Sequence, residues 1–200
     1  MSRKKPNKYQ LKAPKTFNSC EKAADCEFLK LLFQKPYDAS GVLLDCKAFY
    51  IVFCELEERC RIPDDPEEKK RYYEEFDAGK RPFLAPAMVT NGVLAAELAL
   101  KALAMKESGS FNCTHDLNAL FYALPEEHRT ALSTRIKKGS HQNDATLQYN
   151  LESIKDSFVN WRYSFQFDSI GYTNFLLEFI HIVCDYAIAN IESDVPETRE

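Results

Sequence analysis

Residues 95–103, Ala-Ala-Glu-Leu-Ala-Leu-Lys-Ala-Leu, decide the fold class of this 200-residue chain. Alanine and leucine are strong helix formers. Glu97 and Lys101 are one helical turn apart, which predicts a surface ion pair worth about 0.3–0.5 kcal/mol. The apolar pattern continues on both sides and predicts a helix over residues 83–106. This helix carries more apolar surface than an exposed helix tolerates, so we expect it in the centre of a bundle.

Comparable apolar patterns, bounded by proline, glycine and capping residues, fill the rest of the chain. The chain contains only six glycines and 45% hydrophobic residues, a composition that favours helices over a turn-rich sheet. Gly109 is expected to close the central helix, and Thr114 and Asp144 to cap two later ones. The further predicted helices cover residues 20–33, 41–59, 66–78, 114–124, 125–139, 144–162 and 169–191. The predicted fold class is therefore all-α, an antiparallel helical bundle with an N-terminal helical extension.

The distribution of charge and helices suggests four segments. Residues 1–15 form a basic disordered arm, 16–80 the helical extension, 81–192 the bundle and 193–200 an acidic tail. The arm holds six basic residues and no acidic one, whereas the whole chain has a net charge of −4. The remaining body is thus acidic and lacks the basic composition of a general nucleic-acid binder. Two interpretations of the arm stay open, a solvated tail and a phosphate contact.

Cysteine usage and hydropathy indicate a cytoplasmic protein without a cofactor. The seven cysteines contain no Cys-x-x-Cys pair and are odd in number, which predicts neither structural zinc nor a disulfide framework. Pro6 and Pro14 interrupt the N-terminal region, which therefore lacks the apolar run of a secretory signal. The apolar stretch over residues 170–191 includes Glu178 and Asp185, so we expect a core helix there and not a membrane span.

Three motifs in this order resemble the HEPN (higher eukaryotes and prokaryotes nucleotide-binding) domains of prokaryotes. They are the E-L-x-L-K-A-L pattern at residues 97–103, the H-D-L-x-x-L pattern at residues 115–120, and Arg162 before a final long helix. The resemblance covers roughly residues 84–190. It implies a helical bundle, a homodimer formed through the last helices, and association with RNA or a nucleotide in a prokaryotic defence or toxin–antitoxin system.

Arg162 is the first candidate for a functional residue. The neighbouring rings of Trp161 and Tyr163 are able to hold its guanidinium while the donors address phosphate, and Lys101 and Tyr163 complete the predicted nucleic-acid-binding set. The alternative is structural, because an arginine at a helix C-terminus interacts favourably with the helix dipole while its stem packs on Trp161.

The resemblance also raises the question of catalysis. Ribonucleases of the family use an arginine followed four to six residues later by a histidine, both contributed to a shared cleft by paired protomers, and they need no metal. Here Gln166 stands four residues after Arg162, and the window contains no histidine, so the arginine–histidine motif is incomplete. Cleavage would require His115, His141 or His181 to reach the cleft from elsewhere.

Three of the four histidines also have a non-catalytic interpretation. His115 matches the family's H-D-L histidine, which is expected to support the loop and fold. His128 is predicted to be exposed in the first turn of its helix and receives no role. Glu178, His181 and Asp185 form one stripe of the last helix, which we interpret as a polar edge or interface network, because a two-metal bundle site would need a second Glu-x-x-His on another helix.

Three functions remain open from the sequence. The first is a non-catalytic RNA- or nucleotide-associated module, the second is a metal-independent endoribonuclease using Arg162 and a remote histidine, and the third is a protein-binding scaffold. A polar cleft that holds Arg162 near a histidine would favour the first two, and an exposed apolar patch would favour the third.

Overall fold

The computed structural model describes residues 38–140, 143–162 and 173–192. Within these ranges all regular structure is α-helical, which confirms the all-α class. The helices are α1 (Ala39–Cys60), α2 (Pro66–Asp77), α3 (Ala85–Ser108), α4 (Leu117–Tyr122), α5 (Glu126–Ser140), α6 (Asp144–Ile154), α7 (Ser157–Arg162) and α8 (Thr173–Glu192). The predicted helix over residues 20–33, the basic arm, the acidic tail and the first residues of the last predicted helix lie outside the described residues.

Helix α3 forms the centre of the fold, as its composition predicts. It packs against α1, α8, α7 and α4. Alanines on α3 allow close approach, and its larger side chains fill the spaces between the neighbouring helices. The fully buried side chains Leu100 and Leu103 are examples. Helix α1, which belongs to the predicted N-terminal extension, packs against both α3 and α8, and its Cys46 is buried, as expected for a packing thiol.

Gly92 allows α1 and α8 to approach α3 closely. A Cβ atom placed on Gly92 would lie 2.6 Å from Phe53 Cδ2 and 2.8 Å from Ile180 Cδ1. Both distances are shorter than ordinary Cβ contacts, so a side chain at this position would require Phe53 or Ile180 to shift.

Several predicted helix ends are confirmed, and two predicted caps are wrong. Asp65 caps α2, and Gly109 ends α3 in the left-handed conformation with φ of 68°. However, Asp116 rather than Thr114 caps α4, and Asn143 rather than Asp144 caps α6. In each case the residue that caps is the one whose side chain reaches an amide of the first turn, whereas Thr114 accepts from the amide of Asp116 before the helix begins.

The single helix predicted over residues 144–162 is wrong. The structure contains α6 and α7 with a turn at Lys155 and Asp156 between them. The amides of Val159 and Asn160 bond to the carbonyl of Asp156, so that α7 starts a new hydrogen-bonded segment. The carbonyl of Lys155 accepts from the amide of Leu117 at 3.2 Å, and this bond to α4 replaces continuation of α6. The buried apolar side chains of this region, Leu147, Leu151, Ile154 and Trp161, therefore continue across a break in the helix.

Helix α8 uses its wide apolar face within the chain. Side chains on several of its sides are buried, including Phe179, Ile180 and Val183, and the helix packs against α3, α1 and α5. By length and hydropathy, α3 and residues 174–192 would each be able to cross a membrane, but 72% and 50% of the residues in their apolar windows are buried in the bundle. This burial fits core helices, as the sequence predicts for the last one.

Candidate functional site

Glu97 and Lys101 form a buried ion pair, so the prediction of a surface pair is wrong. Glu97 is 2% exposed and Lys101 is 8% exposed. The Lys101 ammonium donates to Glu97 Oε1 at 2.6 Å and lies 5.4 Å from the centre of the Phe111 ring. The tertiary packing of α3 between its neighbours covers the pair, which the spacing of four residues does not reveal. A buried charge that loses its partner strongly destabilises the fold, so the two side chains must stay paired.

His115 extends this buried pair to the protein surface. Its Nδ1 lies 2.9 Å from Glu97 Oε2 and 3.1 Å from Glu97 Oε1, while the imidazole side chain is 61% exposed. The residue lies in the loop between α3 and α4, where the Asp116 cap starts α4 immediately after it. The chain thus folds back after α3, and this loop lies beside the middle of that helix.

Phe158 brings His115 and Arg162 to the same place. The imidazole of His115 stacks on the Phe158 ring with 5.0 Å between centroids and 17° between planes. The guanidinium carbon of Arg162 lies 5.6 Å from the centroid of the same ring. We call Glu97, His115, Phe158 and Arg162 the His115 cluster. Arg162 is exposed at the end of α7, so the cluster has a charged, solvent-facing edge.

The His115 cluster has a defined protonation geometry. A carboxylate accepts hydrogen bonds, so Glu97 selects the tautomer of neutral His115 that carries its proton on Nδ1. The lone pair is then on Nε2, which has no hydrogen-bond partner within residues 38–140, 143–162 and 173–192. His115 therefore presents Nε2 as a hydrogen-bond acceptor on a side chain that is largely exposed.

Of the other residues considered in the sequence, one is buried and three lie outside the described part of the chain. The Lys101 ammonium is inside the protein and bonded to Glu97. Tyr163, Gln166 and His141 lie outside the described residues. The sequence did not single out Phe158 as a functional residue, because its spacing from Leu151 and Ile154 places it in an ordinary apolar stripe.

His181 belongs to a second network, between α1 and α8. Its Nε2 lies 2.9 Å from Glu57 Oε2, and its Nδ1 lies 2.8 Å from the hydroxyl of Tyr50, which also donates to Asp185 Oδ1 at 2.9 Å. We call these four residues the His181 network. Burial, followed by the carboxylate of Asp185, raises the pKa of the Tyr50 hydroxyl above its usual range. The predicted polar edge of the last helix thus contacts α1 through two of its three residues.

His128 is buried, so the prediction of an exposed residue is wrong. Its Nδ1 lies 2.9 Å from the Tyr186 hydroxyl, and its Nε2 lies 3.2 Å from Glu107 Oε1. The position in the first turn of α5 faces α8, and the two polar partners satisfy the ring in the interior. Glu178 approaches α5, where its Oε1 lies close to Gly139.

No group of three or more histidine, cysteine, aspartate or glutamate side chains with the geometry of a metal site occurs in the part of the chain that the structure describes. Comparison with protein-family models, curated proteins and solved structures gives no match for this chain. Any function of these residues is therefore inferred from their geometry alone.

Proposed function

We propose that the chain is a HEPN-like module that binds single-stranded RNA through the exposed edge of the His115 cluster. The observation that carries this proposal is the shared aromatic ring, since Phe158 lies against both the imidazole of His115 and the guanidinium of Arg162. A guanidinium addresses phosphate oxygens with two parallel donors, and flat rings beside it offer stacking surfaces for unpaired bases. The site is small, so we expect it to contact one or two nucleotides.

The charge of the cluster supports weak, local binding. Lys101 neutralises Glu97 in the interior, and Arg162 places a permanent positive charge at the exposed edge. We therefore expect affinity for RNA to fall with added salt.

The resemblance to HEPN domains sets the biological setting of this proposal. It suggests a homodimer in a prokaryotic defence or toxin–antitoxin system, and the sequence adds the expectation of a cytoplasmic location. A dimer would double the number of RNA contacts and bring two copies of the cluster to one strand.

Fluorescence anisotropy with a labelled single-stranded RNA of mixed sequence tests the proposal. Arg162→Ala is expected to weaken binding about tenfold, because a charge-assisted contact is lost. Arg71→Ala removes an exposed arginine from α2 and serves as the matched control, with an expected change below about twofold. Equal losses in both variants would reject the site, since they would indicate only a general charge effect.

A second candidate function, metal-independent RNA cleavage, is favoured by the contact between Glu97 and His115. A carboxylate that fixes the imidazole tautomer is the orienting partner a general base needs, and Nε2 is the atom that would take the proton of the RNA 2′-hydroxyl. The attack of this oxygen on the adjacent phosphorus would form a cyclic phosphate and break the bond to the 5′-oxygen, which would take a proton from solvent water, while His115 would return its proton to the solvent. Arg162 would stabilise the developing charge.

Binding and cleavage are separated by incubating RNA with the protein in EDTA. Cleavage requires wild-type protein to produce 2′,3′-cyclic phosphate ends, and His115→Asn to abolish them even at protein concentrations that saturate the RNA. His181→Asn is the matched histidine control. Intact RNA with a folded, RNA-binding wild-type protein would leave the binding function and reject the enzyme.

A further inference from the structure

The region between α1, α2 and α3 exposes a cluster of apolar side chains around a pocket of about 240 Å³. Of the ten large hydrophobic residues that are exposed in the described parts of the chain, four line this pocket. They are Ile62, Tyr73, Phe76 and Phe83, and we call them the aromatic patch. Single exposed hydrophobic residues are common on protein surfaces, but a contiguous group of this kind marks an interaction site.

Helix α2 does not bury its own apolar edge. None of its residues is buried, although Tyr72, Tyr73 and Phe76 follow one side of the helix. Phe76 contacts Phe83 edge to face with 6.2 Å between centroids, and Phe83 remains 67% exposed. A polar helix of this length gains little stability by itself in water and normally depends on the burial of one face. The aromatic patch is the face through which α2 would obtain that burial.

The rim of the pocket is cationic. Arg59 and Arg81 line it, and Lys80 lies on the adjoining surface. Arg81 is held over the Tyr72 ring, with 4.3 Å from its guanidinium carbon to the centroid. Its terminal nitrogens lie 3.5 Å from Glu75 Oε2 and 3.5 Å from the carbonyl oxygen of Arg59, both at the outer limit of a hydrogen bond. These terminal nitrogens are therefore the donors that a further acceptor would meet.

We propose that the aromatic patch binds a short segment of a partner protein that carries an aromatic or branched aliphatic side chain close to an aspartate or glutamate. The apolar side chain would enter the pocket beside Phe76 and Phe83, and the carboxylate would accept hydrogen bonds from Arg81 and pair with Arg59. Apolar burial supplies the affinity, and the cationic rim selects an acidic segment over a neutral or basic one. This site is separate in sequence from the His115 cluster and does not depend on the proposed RNA binding.

Selection of random peptides about 12 residues long on the full chain tests this inference, because such peptides are long enough to present an anchor and a flanking charge. The enriched peptides are expected to share an apolar anchor within about one helical turn of an acidic residue. Anisotropy with the best peptide then measures the contribution of single residues. Phe83→Ser is expected to weaken binding at least about tenfold, and Arg59→Glu at least about fivefold.

Two matched variants control for loss of an exposed apolar side chain and for charge reversal. Tyr149→Ser removes another exposed ring, which lies outside the pocket, and Lys70→Glu reverses a charge on α2 outside the pocket, with expected changes below about twofold. Because Phe83 and Arg59 are exposed, we expect thermal unfolding of their variants to match wild type. Tyr73→Ser provides a second test of the patch if Phe83→Ser does not fold.

Three results would overturn the inference. The first is a selection without enrichment, or one that enriches peptides lacking acidic residues. The second is affinity that is unchanged in Phe83→Ser. The third is a wild-type dimer in sedimentation velocity that Phe83→Ser converts to monomer, since a second copy of the chain would then cover the patch.

Discussion

His115 and His181 are each held by a glutamate from another segment, but their second ring nitrogens differ. Glu97 holds His115 at Nδ1, and Nε2 lacks a partner in the described ranges. Glu57 holds His181 at Nε2, and Tyr50 occupies Nδ1. The first histidine is an oriented ring with a hydrogen-bond partner on one nitrogen within the described residues, whereas the second connects two helices through both nitrogens. An orienting carboxylate therefore does not by itself mark a functional histidine, and the state of the opposite nitrogen separates the two roles.

The largest effect should come from breaking the buried side of the His115 cluster. Glu97→Leu leaves the Lys101 ammonium without its partner in the interior, and we expect it to lower the free energy of unfolding by about 3–5 kcal/mol. Urea denaturation measures this change. Glu58→Leu removes a glutamate from an exposed i,i+3 pair with Arg61 and should change stability by less than about 0.5 kcal/mol. Similar losses in the two variants would contradict the burial of the Glu97–Lys101 pair.

A smaller loss of unfolding free energy is expected from a substitution that pushes α1 and α8, the helices of the His181 network, away from α3. Gly92→Ala places a methyl group against Phe53 and Ile180, where α1, α3 and α8 meet, and should lower the unfolding free energy by about 1–3 kcal/mol. The double variant Gly92→Ala/Phe53→Leu should recover part of this loss by removing ring atoms from the contact. Additive effects of the two substitutions in urea denaturation would show that the close approach is absent in solution.

Alanine substitution of the two histidines compares them directly. His181→Ala removes two hydrogen bonds between α1 and α8 and should lower the unfolding free energy by about 1–2 kcal/mol, without effect on RNA binding. His115→Ala removes one contact to Glu97 and should destabilise the fold by about 1 kcal/mol or less, but it should weaken RNA binding. Denaturation and RNA anisotropy are measured on both variants. If only His181→Ala weakens RNA binding, the RNA site is at the His181 network and not at the His115 cluster.

The smallest effect concerns the pH dependence of the His181 network. The raised pKa of Tyr50 means that the folded state holds the hydroxyl proton more tightly than the unfolded chain, whose tyrosines titrate near 10.0. This contribution is complete below that pH and is lost as the pH rises above it, so stability should fall between about pH 9 and pH 11.

Tyr50→Phe isolates this contribution. The fall in urea midpoint over the alkaline range should be shallower in Tyr50→Phe than in wild type, while Tyr149→Phe, at an exposed position, should match wild type. Part of the slope should remain in Tyr50→Phe, because burial also raises the pKa of the Cys54 and Cys184 thiols. Identical slopes in all three proteins would contradict a role for Tyr50.

Much of the helical architecture was predictable from local signals. Proline and acidic residues at the start of α2, glycine after α3, and apolar periodicity act over a few residues and mark where helices begin and end. The break between α6 and α7 was not predictable in this way. It depends on a hydrogen bond from Leu117, which lies far away in sequence, to the carbonyl of Lys155.

The candidate site was predictable only in its separate parts. Arg162 and His115 were recognised from the sequence, but their common neighbour Phe158 had the spacing of an ordinary core residue. The burial of His128 and the contact of His181 with α1 were missed for the same reason, since their partners Tyr186, Glu107, Tyr50 and Glu57 lie on other helices.

The sequence by itself determined that this protein is helical and that its Ala/Leu-rich segment forms the central helix, because propensity, caps and periodicity are properties of neighbouring residues. Only the tertiary structure decided which charges are buried and which rings meet. Burial of Glu97 with Lys101, and the placement of His115 beside Phe158 and Arg162, result from packing between segments that are distant in the chain. Desolvation and contact depend on that packing, and residue spacing within one helix does not specify it.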